Sequence, residues 1–219
     1  MCILSMLLES RAAEPFFKNG YLLGCDATRE AIVIDPGDEV PELLDLVAGE
    51  RLTVKYILLT HAHMDHVSGV ARIKRATGAP IGLHKEDLFL YNMAVEQGRM
   101  FGYEVDPPPP PDFFYDTAGE PLAFGRHEVR VLHTPGHSPG GVCLRVGTAG
   151  QPGLEVFAGD TQFANSIGRT DLPGGNLKTL LHSIRTQLFV LDGATIVYPG
   201  HGPETTIGDE RRNNPFLQD

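Results

Sequence analysis

The segment His61-Ala62-His63-Met64-Asp65-His66 places three imidazoles and a carboxylate within six residues. Side chains two apart in an extended segment point the same way, so His61 and His63 can converge on one metal ion. Asp65 and His66, where the chain turns into a helix, can face a second. One catalytic ion needs about three protein ligands and an open position, so two ions require donors from elsewhere in the chain. Three further loops supply them. His137 lies in His133-Thr134-Pro135-Gly136-His137-Ser138-Pro139-Gly140-Gly141, Asp160 in Phe157-Ala158-Gly159-Asp160-Thr161, and His201 in Tyr198-Pro199-Gly200-His201-Gly202-Pro203. Donors of this type, gathered around open coordination positions, point to metal-assisted catalysis.

Each group of donors follows a predicted strand. Val54 to Thr60 is apolar without alternation and reads as a central strand covered on both faces, so His61 begins just past its C-terminal end. Strands predicted over Glu128–Leu132, Leu154–Ala158 and Ala194–Val197 run into the loops of His137, Asp160 and His201. Four strand ends thus present ligand-type side chains, as expected for a site built along one edge of an α/β sandwich. Around them the pattern predicts a first strand over Met1–Leu8 and a hairpin from Phe16–Leu23 and Ala31–Ile34, stopped by Asp35-Pro36-Gly37-Asp38. Helices are expected over Glu39–Ala48, Val67–Thr77, Glu86–Glu96 and Leu177–Leu188, with strands at Ala79–Leu83 and Val142–Val146. Two mixed sheets packed face to face with helices outside follow. The prolines Pro107 to Pro111 impose an extended connection; even so, residues 1–219 are read as one domain, with a proline-rich projection that could cover the site or meet a second subunit.

At this point the chain resembles the metallo-β-lactamase superfamily, and within it the glyoxalase II-like (hydroxyacylglutathione hydrolase-like) branch. The matching residues are Thr60 to His66, Thr134-Pro135-Gly136-His137, Gly159-Asp160 and Gly200-His201, with Gly168-Arg169-Thr170-Asp171 as a branch-level match. The resemblance implies an αββα sandwich with His61, His63 and His137 on one metal, Asp65, His66 and His201 on the other, and Asp160 bridging both. The cofactors implied are two divalent ions, zinc first, with iron and manganese compatible with the same imidazole and carboxylate donors. The two oxygens of Asp160 suit a bridging role, and a shared hydroxide, its pKa lowered toward neutrality and oriented by Asp65, would attack a thioester carbonyl. A hydroxyacylglutathione-type thioester, or another small anionic acyl ester, is the implied substrate. The rival within the fold is a mononuclear iron persulfide dioxygenase acting on glutathione persulfide, in which His61, His137 and Asp160 would form a two-histidine, one-carboxylate triad. Class B β-lactamases resemble the chain less, having a cysteine where Asp160 stands. Only Thr205 to Asp219 follows His201, so the C-terminal helical region with which full-length glyoxalase II enzymes grip glutathione is not expected. A metal-binding protein without catalysis is disfavoured by the intact ligand set.

Four further residues have candidate roles beside the site. Arg169 could meet an anionic substrate, Asp171 could partner a ligand histidine, His133 could orient the His137 loop by hydrogen bonds, and Tyr198 could line the pocket. For Arg169 and Asp171 a local ion pair is an equal expectation, and for Tyr198 packing is the simpler one. His84, His127 and His182 are read as surface or packing residues. Gly136 and Gly200 are expected to let the backbone turn sharply beside a donor.

Composition sets the outer limits. The 219 residues are 42% hydrophobic and 21% charged, which fits a soluble globular chain and argues against disorder and coiled coils. A formal charge of −10, from 28 acidic against 18 basic residues, would repel nucleic-acid phosphates and anionic lipid. No apolar run reaches the roughly 18 to 20 residues that cross a bilayer. Cys2, Cys25 and Cys143 are too scattered for a disulfide framework, so a reducing compartment, the cytoplasm, is expected.

Overall fold

The computed structural model describes residues 6–151 and 153–218. The first sheet holds β1 (Met6–Ala13), β2 (Lys18–Cys25), β3 (Glu30–Ile34), β4 (Thr53–Leu58), β5 (Ile81–Leu83) and β6 (Phe113–Phe114), side by side in that order. β1 to β3 pair antiparallel, and β3 to β6 run parallel. The second contains β7 (Leu122–Phe124), β8 (His127–His133), β9 (Val142–Thr148) and β10 (Glu155–Gly159). After a small hairpin, β11 (Gln162–Phe163) and β12 (Ser166–Ile167), it is completed by β13 (Ile196–Pro199) and β14 (Thr205–Thr206), in the order β14-β13-β10-β9-β8-β7.

Alternation along the strands builds the layers. Leu23, Ile32, Ile34 and Leu58 meet Phe124, Val129, Leu144 and Phe157 between the sheets. The neighbouring residues Leu22, Val33 and Ile57 point the other way, toward α1 (Val40–Gly49), α3 (Val70–Thr77), α4 (Leu88–Asn92) and α5 (Ala94–Met100); the short α2 (Met64–Val67) precedes α3. On the second sheet Cys143, Val156, Ala158 and Val197 pack against Leu180 of α6 (Leu177–Ser183), Ile184 and Leu188 of the wide helical turn that continues it, and Ile207 of α7 (Ile207–Asn213). The result is the expected αββα sandwich.

Several elements differ from the sequence-based expectation. The helix expected over Val67–Thr77 is split because Ser68 and Gly69 separate α2 from α3, with Gly69 N donating to Pro36 O at 3.0 Å. The helix expected over Glu86–Glu96 is a 3-10 turn, Lys85–Asp87, followed by α4 and α5. The proline run does not divide the sheets: Tyr91 donates to Pro109 O at 2.7 Å, and the chain then enters β6 of the first sheet. The short β7, β11, β12 and β14, and helix α7, carry too little periodicity to be read from sequence. Residues 1–5, including Cys2 and most of the predicted first strand, lie outside the described residues. Cys25 and Cys143 are buried and unpaired. Among the described residues no helix is long and apolar enough to cross a membrane.

Phe157 is the packing centre between the sheets. Its ring stacks on Tyr198 at 5.0 Å and 16°, and meets Tyr21 edge-on at 4.9 Å. Phe157→Ala should therefore lower unfolding free energy by about 3–5 kcal/mol. In urea titrations the midpoint falls with an unchanged slope, and a shift below about 1 kcal/mol would refute this placement.

Candidate metal centre

β4 ends at Leu58, the chain bends at Thr60, and His63, extended at φ −69° and ψ 152°, is the residue before α2. His61 and His63 are thereby projected from one side of a strand end, as their spacing predicts, while Asp65 and His66 lie in the first turn of α2. The turn after β8 brings in His137, the residue after β10 is Asp160, and the residue two beyond β13 is His201. All seven side chains meet at one edge of the sandwich.

His137 Nε2 lies 2.8 Å from His63 Nδ1 and 3.2 Å from His61 Nε2. On the other side His201 Nε2 is 3.1 Å and His66 Nε2 3.6 Å from Asp65 Oδ2. Asp160 stands between the two groups. Its Oδ1 is 3.4 Å from His66 Nε2, and its Oδ2 is 3.7 Å from both His137 Nε2 and His201 Nε2. Gly200 leaves room for this carboxylate, since a Cβ there would collide with Asp160 Oδ1 and His66 Cε1. At Gly136 the requirement is conformational as well, with φ at +136° and the backbone of Leu180 where a side chain would stand.

The donor set fits divalent cations. Buried polar atoms are almost always hydrogen-bonded, yet His63 Nε2, His66 Nε2 and Asp160 Oδ1 are buried without a partner. Zinc–nitrogen bonds of about 2.0–2.1 Å place tetrahedral neighbours about 3.3 Å apart, close to the spacing of the three converging imidazoles. Charge points the same way. Burial would lower the His66 imidazole, but Asp65, Asp35 and Asp160 together push it up to about 10. Burial would raise Asp160, but His66 holds it down to about 2. Burial and then the neighbouring His137 push His63 down to about 3, and burial with His66 keeps His61 well below its ordinary value. His61 and His63 are thus neutral imidazole donors on one side of the cluster, and on the other a nest of carboxylates holds a proton on His66 where a cation would serve.

Two buried carboxylates that sequence patterns do not single out fix these loops. Asp35 accepts from Thr60 N at 2.7 Å, from the Thr60 hydroxyl at 2.5 Å and from His66 Nδ1 at 2.9 Å, which leaves His66 Nε2 facing Asp65 and Asp160. Asp87 accepts from Ala62 N at 3.0 Å, Ser138 Oγ at 2.8 Å and Gly140 N at 2.6 Å, tying the His61–His63 segment to the His137 loop. Beneath Asp35 the buried Lys18 donates to Glu39 at 2.8 Å and also to the Asp35 carbonyl. In the sequence Asp35 is visible only as part of a strand-ending turn, and Asp87 only as an acidic residue in a predicted helix.

The residues expected beside the centre make local contacts. His133 Nε2 is 3.1 Å from Pro139 O, within the loop that carries His137. Arg169 forms a two-point ion pair with Asp171, Nε to Oδ1 and Nη2 to Oδ2 both at 2.7 Å. Asp171 therefore serves Arg169, and His137 Nδ1 is partnered by the Arg169 carbonyl oxygen at 2.7 Å. Tyr198 is turned into the layer between the sheets against Tyr21 and Phe157, so packing claims its ring. His84 has a partner after all: its ring stacks on His133 at 4.2 Å and 18°, with Glu86 beside them. His127 is buried against Phe124, and His182 is exposed.

Comparison with known proteins matches residues 13–201 to the family model of the Metallo-beta-lactamase superfamily. The chain belongs to that superfamily. The hydroxyacylglutathione hydrolase GloC of Haemophilus influenzae is 38% identical over 202 residues, covering 92% of this chain and 93% of GloC. Among solved structures, BLEG-1 B3 metallo-beta-lactamase superposes with a TM-score of 0.87 at 37% identity, covering 97% of this chain and 100% of that one. TTHA1623 in a di-iron-bound form gives 0.83 at 41% identity, covering 95% and 100%. Superfamily likeness thus includes a protein bearing the β-lactamase name, nearer than the cysteine comparison suggested. The di-iron neighbour agrees with divalent metals as the cofactor class of this fold.

Asp87→Ala would leave three buried donors without their acceptor, each worth about 1–3 kcal/mol. The variant should lose at least about 3 kcal/mol of stability in denaturant titrations, whereas loss of under 1 kcal/mol would mean that Asp87 does not hold the two loops together.

Proposed function

We propose that this protein is a metal-dependent hydrolase of acyl thioesters. In this reading His61, His63 and His137 hold one divalent ion, Asp65, His66 and His201 a second, and Asp160 reaches both. The observation that carries it is the position of Asp160, one oxygen toward His66 and the other toward His137 and His201, between two groups of donors with unpartnered buried atoms. When bound, the ions polarise the acyl carbonyl and make water acidic enough to attack at neutral pH. The chain's own residues supply the rest. Burial would raise the Asp65 carboxyl, but His66 and His201 hold it below the ordinary carboxylate range, so it is ionised and able to accept a hydrogen bond from the attacking water. Asp35 and the Arg169 carbonyl fix the ring orientations of His66 and His137.

In the reaction the water oxygen bonds to the acyl carbon, the carbon–sulfur bond breaks, and the sulfur leaves with its electron pair. The water's protons pass to the released thiolate and to solvent. A thiolate is a good leaving group, so no positioned strong acid is required, and none stands in the site beyond the donors already named. Similarity to GloC supports the thioester class. It supports a glutathione thioester less, because the one basic wall residue, Arg169, is bound to Asp171.

Elemental analysis of protein purified without chelators should find close to two divalent ions per chain. Asp160→Ala should lose metal and lower thioester turnover by at least about 100-fold, while His182→Ala, exposed and outside the donor set, changes neither. Retention of both ions and full turnover in Asp160→Ala would sink the assignment. A single tightly held iron, with oxygen uptake on a persulfide, would favour the dioxygenase instead.

A further inference from the structure

The floor of the site is ionic, but the walls of the cleft above it are not. A cavity of about 210 Å³ opens over His63, Asp65, His137, Asp160 and His201. Its remaining wall consists of Phe16, Met64, Phe101 and Leu172, with Gln97 and Arg169 as the polar members. Each has part of its hydrogen-bonding capacity engaged within the protein. Gln97 directs its amide Nε2 at Leu90 O, 3.5 Å away, and the Arg169 guanidinium is committed at two points to Asp171. The apolar side is held in place: the Phe16 ring meets Tyr103 edge-on at 5.3 Å and 80°, and the Tyr103 hydroxyl is bonded to Asp38. Phe101, on the cleft wall, is 63% exposed, an apolar side chain that folding alone does not need at the surface.

Resting on the thioesterase reading, we infer that the cleft selects thioesters with a short, unsubstituted apolar acyl group, which lies against Phe16, Phe101 and Leu172 while the carbonyl faces the donor floor. A 2-hydroxyacyl group laid against Phe16, Phe101 and Leu172 would bury its hydroxyl on side chains that offer no hydrogen bond. The carboxylates of a peptide thiol such as glutathione would find no unpaired cation among the described wall residues, in a chain of net charge −10. The cavity of about 210 Å³ is smaller than the roughly 300–1,000 Å³ of pockets that enclose drug-sized ligands, and it suits an acyl group of a few carbons.

The inference is tested with acetyl, propanoyl, butanoyl and 2-hydroxypropanoyl thioesters of N-acetylcysteamine on the metal-loaded protein. In parallel, calorimetry measures the affinity of the corresponding ketones, in which a methylene replaces sulfur. Each buried methylene should raise kcat/KM and ketone affinity about fourfold, and propanoyl should exceed 2-hydroxypropanoyl. Phe101→Ala, exposed enough not to disturb folding, should cut the gain to below about twofold per methylene. Val190→Ala, 71% exposed and outside the cleft, should leave it intact. A flat series, or preference for 2-hydroxypropanoyl, would overturn the inference while the hydrolase reading stands. A ketone series that steepens with chain length, with no turnover of any thioester, would support the apolar wall and overturn the hydrolase reading.

Discussion

The three hydrogen bonds accepted by Asp35 are the constraint on which the site depends. One carboxylate, buried at the turn after β3, holds the end of β4 through Thr60 and the first turn of α2 through His66. Everything from His61 to His66 lies between these two anchors, so a single side chain at the end of a neighbouring strand holds both ends of the segment that carries four donors, with Asp87 adding a hold on Ala62 between them. The carboxylate is fixed in turn from below. Lys18 and Glu39, both buried and paired, sit under the Pro36–Gly37 turn, and Gly37 N donates to the same Glu39 oxygen at 2.7 Å. A buried pair of this kind contributes little net stability over an apolar pair of the same shape, but leaving one partner alone is strongly destabilising. Its value here is positional, because only this arrangement satisfies all of its members.

The remaining loops are tied to the same edge by contacts between elements far apart in the chain. Asn19 N donates to Gly200 O at 2.7 Å, and its side chain to Pro199 O and Gly202 O at 3.1 and 2.9 Å, so the start of β2 clamps the loop of His201. Tyr21 adds a hydrogen bond to Pro199 O at 2.6 Å. Val142 N donates to Thr60 O at 2.8 Å and joins the second sheet to the first beside the donors. A cluster of buried imidazoles and carboxylates has little intrinsic reason to assemble, since each group loses hydration and like charges face one another. The interlocked backbone and the apolar core between the sheets oppose that tendency, and the unpartnered donor atoms are where the opposition is visible.

This division explains what the sequence disclosed and what it withheld. The donors were legible because each chemical group is local: His61 to His66 fall within six residues, and His137, Asp160 and His201 each follow an apolar run that ends abruptly. The layers were legible for the same reason, as unbroken apolar strands such as β4 announce cover on both faces. Asp35, Asp87 and the Lys18–Glu39 pair were not, because their partners lie 17 to 53 positions away and nothing in their own neighbourhood marks them as buried. Tyr198 takes the packing role that was its simpler expectation, and His84 packs as well, though on a partner that its own neighbourhood does not show. Tyr198 sits beside a donor loop in sequence yet turns into the core, whereas His84 has no imidazole near it in sequence and gains one only because β8 delivers His133 to its face. Period and composition predict which face a residue occupies, but not which distant side chain shares it.

The floor and the walls of the cleft impose opposite conditions on any occupant. The floor concentrates carboxylates and imidazoles whose mutual repulsion is relieved by cations, and it can engage a polar carbonyl. The walls contain aromatic and aliphatic side chains, and the one guanidinium among them is paired at two points with Asp171. A molecule that satisfies both must be polar at one atom pair and apolar beyond it, and short enough for a small cavity. Local pairing, not the presence of a basic residue, thus decides the polarity of this binding surface. An arginine that the sequence offers as an anion anchor is here paired at two points with a carboxylate two residues away, so its charge does not face the cleft alone.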